Sequence, residues 1–539
     1  MIIDCASLTD HTTIGVDICV IGAGPAGLAF ASAFLDSAVS VAVIEAGGQP
    51  GGPLGLDAPA ATAVDSDFGA PLAVPNRFGG AANEWMVRLP RMRRGVRMLP
   101  LSPEDLEAHE WLPHSGWPLD WEELQPWYER AAGFLGLSQR GFSLENWTDD
   151  DHRPINLEAF GFTTAIEQMA DPRLFTHTIH ERMQHSTNVD VYLGAAAGSL
   201  DGSVDMATTL MIDHGRRDRI AVRATTFVIA CGGIENARLL LEARGEQGFG
   251  ASVENVGAYY VDHHRCIAGS IRPADPRVFD DAAIYDLTSR HDAHVMGKIV
   301  PCASTRRDHD LLHSGTMLLP KPSIDSLDGL ADFRRFVRAP WRGLNKPGRA
   351  LRSTAALGQM GVDMALAQRR FPPHVDAGWS GLRGRTTFES FMVETQVELT
   401  PDPANRVTLS ATANEFGRRR AEIRWRWTDT DLKSLRRTTE LLADAFADCG
   451  VGTLTPSQWQ GHPEVTTPNG AFHPSGTTRM SHTPSDGVVD RDGLVHGSSN
   501  VYVLGSSTFP TVGYANPTLT VVALARRLAV HLTASAADR

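Results

Sequence analysis

Residues 16–46 read VDICVIGAGPAGLAFASAFLDSAVSVAVIEA, and the rest of the chain is understood outward from them. An apolar run, Ile18 to Ile21, meets Gly22-Ala23-Gly24-Pro25-Ala26-Gly27. An alanine-rich helical stretch follows to about Leu35, and a second apolar run, Val39 to Ile44, ends in Glu45. Each glycine has its own task. Gly22 makes the tight strand-to-helix turn, Gly24 lets a pyrophosphate approach the backbone, and Gly27 lets the helix pack closely on the strand. The helix start then turns its unpaired amides toward the phosphates. Glu45 stands at the end of the second strand, where a carboxylate takes ribose hydroxyls and repels a 2′-phosphate, which disfavours NADP. The spacing predicts a strand–turn–helix–strand unit that binds a dinucleotide. A chance glycine turn would lack the second strand and its terminal acid. The motif alone does not separate FAD from NAD, but its place at the start of a long chain with no second complete fingerprint favours resident FAD.

Two distant stretches have the same character. TTFVIACGGIENARLLL (225–241) reads as an apolar strand, a small-residue turn at Ala230-Cys231-Gly232-Gly233, and a helix from near Glu235. NVYVLGSSTFPT (500–511) reads as a strand ending in Gly505-Ser506. Three strands ending in small residues predict one nucleotide-binding sheet assembled from separate parts of the chain, with its ligand beyond the carboxyl ends of the strands.

Composition bounds the remaining choices. At 539 residues the chain exceeds what one core supports, and 42% hydrophobic with 21% charged residues is ordinary globular composition. A net charge of −13 argues against a nucleic-acid partner. The six cysteines lie far apart with no CxxC pair, which excludes a zinc ribbon and argues against a disulfide framework. The N-terminus lacks the basic and apolar regions of a signal peptide and no apolar run reaches membrane-spanning length, so the expectation is a cytoplasmic protein with no membrane span. VDHHR (261–265) raises the question of a metal, but adjacent histidines without spaced acidic or thiol ligands make a poor chelate, and none is expected. No nucleophile elbow or Ser-His-Asp arrangement supports a hydrolase.

Late in the chain, FHPSGTTRM (472–480) places His473 in a small, polar loop that looks ill-suited to a core. GYANPTLTVVALARRLAVHL (513–532) announces the last helix, with Asn516 at a capping position and Pro517 in the first turn. Each residue alone has a bland reading, as a core histidine and a cap. Together they flank the strand that should end at the cofactor.

The stretch FHPSGTTRMSHTPSDGVVDRDGLVHGSSNVYVLGSSTFPTVGYANPTLTVVALARRLA resembles the carboxyl-terminal signature of the glucose–methanol–choline (GMC) flavoprotein oxidoreductases. GAGPAGL, EAGG and NRFGGAANEW (76–85) resemble that family's FAD fingerprint and its Gly-Gly loop under the flavin. HSGWPLDWEELQPWYERAAGFLGL (114–137) and PDPANRVTLS (401–410) are similar to the sugar-oxidising branch that includes pyranose oxidases, whereas residues 270–390 match nothing dependable. The resemblance implies an α/β fold, in which a discontinuous Rossmann-like FAD domain (1–100, 190–269 and 466–539) carries a substrate domain with an antiparallel sheet (101–189 and 270–465). It implies His473 as catalytic base with Asn516 beside it. Cofactor contacts are implied from Gly22, Gly24, Pro25, Ala26, Gly27, Glu45, Ala46, Arg77, Gly79, Gly80, Asn83, Ala197, Ala230, Gly232, Gly505, Ser506, Pro517 and Thr518. An alcohol gives its carbinol hydride to flavin N5 only as its hydroxyl proton leaves, so a base must stand within hydrogen-bond reach. The expected substrate is an alcohol on a sugar, glycoside or cyclitol, with oxygen, a quinone or a protein as electron acceptor.

Three departures from the family pattern bear on this. Glu84 stands where some members attach FAD through a histidine, which implies non-covalent FAD. Gly505 replaces an aspartate and Ser481 a glycine. Two basic segments, 88–97 and 334–352, read as a solvated face or lid, with an anionic substrate or an acidic redox partner as the functional alternatives.

Overall fold

The computed structural model describes residues 1–9, 11–50, 61–67, 69, 76–85, 87–89, 94–149, 152–214, 218–247, 254–275, 278, 282–322, 388–414, 416–459, 461–466 and 472–537. Its first layer is an eight-stranded sheet. Strand Thr13–Ile21 lies parallel to Val41–Glu45 on one side and to Asp218–Ile229 on the other. Val189–Leu193 and Ile2–Asp4 extend the sheet in parallel, and Ala207–His214 with Ala196–Gly202 add an antiparallel flap. Every residue of Val41–Glu45 is buried, as expected for a parallel strand covered on both faces.

The long strand Asp218–Ile229 divides its outer edge between two partners. Its first half pairs with Ala207–His214, and its last residues pair in parallel with Val501–Val503. Ile21, Ile229 and Val503 therefore stand in register at one rim, although more than 200 residues separate each from the next. The turns after these strands all open onto the same edge, where such sheets bind ligands.

The second layer is a nine-stranded sheet, antiparallel throughout, in the order Gly452–Pro456, His264–Pro273, Phe388–Val397, Ser314–Pro322, Ala293–Pro301, Phe162–Ala170, Arg94–Met98 and Val87–Arg88, with Thr288–Arg290 on Ala293–Pro301. Its strands alternate. Phe391, Val393, Ile166 and Ile299 pack with Leu442 and Phe446 of helix Asp429–Asp448 in a separate apolar core. The intervening residues Glu394, Gln396, Glu167 and Lys298 take the opposite face. A third, three-stranded sheet joins Arg406–Ala413, Arg419–Arg424 and Thr62–Ala63. All six cysteines are free. Among the described residues no helix is long and apolar enough to cross a membrane, and no group of three His, Cys, Asp or Glu side chains could hold a metal ion.

Candidate active site

A cavity of about 480 Å³ runs along the rim of the parallel sheet and reaches the polar face of the antiparallel one. The first turn after Ile21 shapes its floor. Gly22 has φ +107, and a Cβ there would lie 2.5 Å from the Ala230 carbonyl oxygen. A Cβ on Gly27 would lie 2.0 Å from the Gly22 carbonyl oxygen, so this position holds helix Pro25–Ala31 against the strand. Gly24 differs. It is the helix N-cap with ordinary extended dihedrals, and a Cβ there would meet nothing within 4 Å, because it would project into open space. Gly24 and Gly232 are both open in this way, and that space is what a pyrophosphate needs. Gly24 itself is therefore under no backbone strain, and its smallness serves only what enters the cavity.

Glu45 is buried and lines the cavity. Its Oε2 accepts the Ala23 N–H (3.0 Å) and its Oε1 the Gly47 N–H (2.8 Å). Burial raises its pKa while these two amides pull it back. The carboxylate thus clamps the turn and keeps spare lone pairs for ribose hydroxyls. Pro25, Ala26, Ala46, Arg77, Gly80, Ala197, Ala230, Gly232, Gly505, Ser506, Pro517 and Thr518 also line the cavity. Gly27, Gly79 and Asn83 stand behind the wall and shape it. Asn83 donates to the Phe78 and Gly80 carbonyls, tying the 79–80 turn, and Gly79 donates its N–H to the Ala23 carbonyl. A Cβ on Gly80 would lie 2.8 Å from Gly24 Cα, so the two glycine loops touch. Gly505, the departure from an expected aspartate, has φ +127 and ψ 177, a conformation essentially restricted to glycine.

The His473 loop corrects the expectation that it is too polar to pack. Ser475, Thr477 and Thr478 are fully buried. The loop threads between two other segments as an extended strand would. Ser475 exchanges both backbone hydrogen bonds with Val261, while Gly476, Thr478 and Met480 donate to the Ser506, Ser507 and Thr508 carbonyls. Gly476 is left-handed and lies so close to the Tyr259 carbonyl that a Cβ would stand 2.1 Å from it. These backbone groups of the loop are satisfied within the protein, although Thr478 Oγ1 and Arg479 Nε and Nη1 are buried with no hydrogen-bond partner among the described residues. His473 is half-buried with its open side on the cavity, and its N–H donates to Asp262 Oδ1 (3.0 Å). Burial, the neighbouring His263 ring and the cations Lys298, Arg265 and Arg97 hold its imidazole well below the ordinary histidine value.

Asn516 also lines the cavity and is buried. The last helix spans Thr518–Ala537, and the Pro517 carbonyl accepts its first helical hydrogen bond from Val521 N–H (2.9 Å). Asn516 therefore lies one residue outside the capping position the sequence suggested. Gln396 Nε2 donates to the Tyr514 carbonyl (2.6 Å) and to Asn516 Oδ1 (3.4 Å). With its oxygen engaged, Asn516 has its Nδ2 hydrogens left for a ligand.

Several residues of this wall escaped sequence reasoning. His263, half of an apparently idle histidine pair, lies 3.0 Å from His473, whereas His264 turns away to stack near Trp425 and Trp427. Gln396, Arg265 and Arg97 line the cavity. Arg97 belongs to the basic run read as a solvated face, but it pairs with fully buried Glu167 (3.3 Å), which also holds fully buried Lys298 (2.9 Å). Arg94 is exposed, while Arg91, Arg93 and the whole of 334–352 lie outside the described residues. Asn236, fully buried, donates to Leu504 O and Ser507 Oγ and accepts from Cys231 N–H, stitching two strand tips together. Nothing in the sequence marks the roles of these residues, which depend on how distant segments pair and pack around the cavity.

Residues 401–525 match the family model described as GMC oxidoreductase. The chain is 25% identical to paromamine 6'-oxidase of Streptomyces fradiae over 95% of its own length and 90% of that protein. It is 28% identical to the fructose dehydrogenase large subunit of Gluconobacter japonicus over 57% of its own length and 47% of that chain. Among solved structures it is similar to pyridoxine 4-oxidase from Mesorbium loti, with a TM-score of 0.54 at 16% identity over 96% of this chain and 99% of that one. Formate oxidase superimposes equally well, at 0.53.

Proposed function

We propose that the chain, which matches the GMC oxidoreductase family model over residues 401–525, oxidises an alcohol on a sugar, glycoside or cyclitol to the carbonyl, with His473 as base and Asn516 holding the same hydroxyl. The observation that carries this reading is the meeting, on one cavity, of the dinucleotide cradle with His473 and Asn516. The open faces of Gly24 and Gly232 and the clamped Glu45 fit FAD. FAD, when bound, supplies the hydride acceptor. The residues of the chain handle the proton. A neutral imidazole takes it from the hydroxyl as the carbonyl forms, and the depressed pKa of His473 keeps that imidazole neutral at physiological pH. The Asn516 amide hydrogens orient the hydroxyl oxygen, with Gln396 fixing the amide. The helix from Thr518 directs its positive end at the cavity, which favours negative charge there.

A sugar-type substrate is supported by the relatives: one is named for paromamine, an amino-sugar, and another for fructose. Glu84, half exposed beside Arg77, offers no imidazole for attachment, so FAD should be held non-covalently. The test is an anaerobic screen of free sugars, glycosides and paromamine for bleaching of the bound flavin, followed by acid precipitation. Bleaching by one of them, with all FAD released into the supernatant, is the expected result. If dithionite bleaches the flavin but no carbohydrate does, the substrate class is wrong. The fructose dehydrogenase relative keeps a second acceptor class open, a quinone or protein in place of oxygen; oxygen consumption against dye reduction by the reduced enzyme separates the two.

A further inference from the structure

We propose that His263 is a positioning residue for His473: anchored on the Gly513 carbonyl, it forces His473 into the tautomer in which Nε2 is the basic nitrogen. This goes beyond the assignment of His473 as base and rests on it. The His263 ring is buried, and both of its nitrogens are engaged. Nε2 lies 2.9 Å from the Gly513 carbonyl oxygen, and Nδ1 lies 3.0 Å from Nδ1 of His473. A carbonyl oxygen only accepts, so His263 Nε2 carries the hydrogen. A neutral imidazole has one N–H, which leaves His263 Nδ1 with a lone pair. Two lone pairs facing each other at 3.0 Å would repel, so the hydrogen between the rings belongs to His473. That uses the single N–H of His473 at Nδ1 and leaves Nε2 free to accept a proton.

The anchor is rigid. Gly513 donates its own N–H to Glu398 Oε1 (2.9 Å), has φ +52, and sits where a Cβ would lie 2.7 Å from Asp105 Oδ2. The two rings meet edge to face at 80°, and Asp262 Oδ1 accepts the backbone N–H of both histidines (2.7 and 3.0 Å), which locks the two segments to each other. Burial, the first cause, pushes the His263 pKa down to about 4, with nearby Lys298 adding to it, so the ring stays neutral. When His473 Nε2 takes the substrate's hydroxyl proton, its Nδ1–H remains bonded to the His263 lone pair, which stabilises the imidazolium formed. The bland alternative is a core histidine that merely satisfies Gly513.

Ring-¹⁵N histidine NMR of the parent holoenzyme reads the tautomer directly, with the His473 signals assigned by their loss in His473→Ala. A protonated Nδ1 and a bare Nε2 at neutral pH are expected; the reverse overturns the proposal. Two variants then separate positioning from structure. His263→Gln keeps a donor for Gly513 but offers no acceptor at the Nδ1 position, whereas His263→Asn offers that acceptor. With FAD content normal, His263→Gln should slow anaerobic flavin reduction, by whichever of fructose or paromamine bleaches the parent, by about 10²-fold or more, since a wrong histidine tautomer costs up to about 10⁴-fold in a catalytic triad. His263→Asn should recover much of the rate. Parent-like reduction by His263→Gln, with His473→Ala slow, removes the positioning role and leaves the base in place. Parent-like reduction by His473→Ala removes the base instead. Should either His263 variant lose FAD, the parent NMR still decides.

Discussion

The first glycine loop and the His473 loop do comparable work in opposite ways. Residues 22–27 line the cavity with backbone, and their shape is set largely within one strand, turn and helix of continuous sequence, with Ala230 and the Gly79–Gly80 turn as the distant neighbours. Residues 472–480 present one side chain, and its setting comes from four distant places: Asp262 and His263, Gly513, the Ser506–Thr508 carbonyls, and the cations of the antiparallel sheet. A backbone site is set by local conformation, whereas a side-chain site is set by packing. The two should therefore fail differently when altered.

The largest effect is expected at Gly27. Gly27→Val puts side-chain carbon where even a Cβ would lie 2.0 Å from the Gly22 carbonyl, so the helix cannot seat and no folded holoprotein should accumulate. Gly24→Val, three residues away, should fold, because its Cβ meets only open space, yet purify colourless because the pyrophosphate has lost its path. Circular dichroism and the flavin-to-protein ratio distinguish the two. If Gly24→Val retains FAD, the cradle lies elsewhere. In the other region His473→Ala should keep its FAD and lose about 10²–10⁴-fold in the rate of flavin reduction. Yellow but slow is the signature of a side-chain site.

Asn516→Asp should be milder. Aspartate still accepts from Gln396, but it loses the Nδ2 donors and adds negative charge at a helix start whose dipole favours charge on the ligand. About a tenfold slower reduction and a lower flavin potential are expected, both read by anaerobic photoreduction with a reference dye. An unchanged rate would make Asn516 a spectator.

The smallest effect sharpens the contrast through pH. The folded pKa values of His473 and His263 lie below the ordinary ~6.5 of an unfolded chain, so the unfolded state binds more protons as pH falls through that value. Stability should therefore decline as pH drops from about 6.5 toward 4, the folded value for His263. The imidazole of His473, the proposed base, has its own pKa held well below 6.5 by burial and the neighbouring His263 ring and cations. Over the upper part of this range the thermal midpoint should fall while the rate of flavin reduction holds. A rate that falls in step with a free histidine would mean that His473 is more open to water than its surroundings imply.

The limits of sequence reading follow the same division. The strand–turn–helix at 16–46 and the three strand tips could be read directly because alternation, glycine and small-residue turns are local signals. Strand tips separated by hundreds of residues were recognisable as relatives, since each must satisfy the same demand at the same edge. His473 and Asn516 could be picked out by resemblance, but their surroundings could not. His263 looked like half of a failed metal pair, and Arg97 like part of a solvated run. Asn516 looked like a cap, although Pro517 takes that place.

The amino-acid sequence by itself determined that a glycine-rich strand–turn–helix lies near the start of the chain, that its sheet is assembled discontinuously, and that a histidine and an asparagine stand near its last strand. Each of these depends on residue type and near neighbours. Tertiary structure alone decided which nitrogen of His473 is engaged, that Gln396 turns Asn516, and that an arginine and a lysine share one buried glutamate behind the cavity wall. Those facts depend on strand register and on burial. Register joins residues that no sequence spacing relates, and burial makes a hydrogen bond or a charge pair decisive where water would have made it negligible.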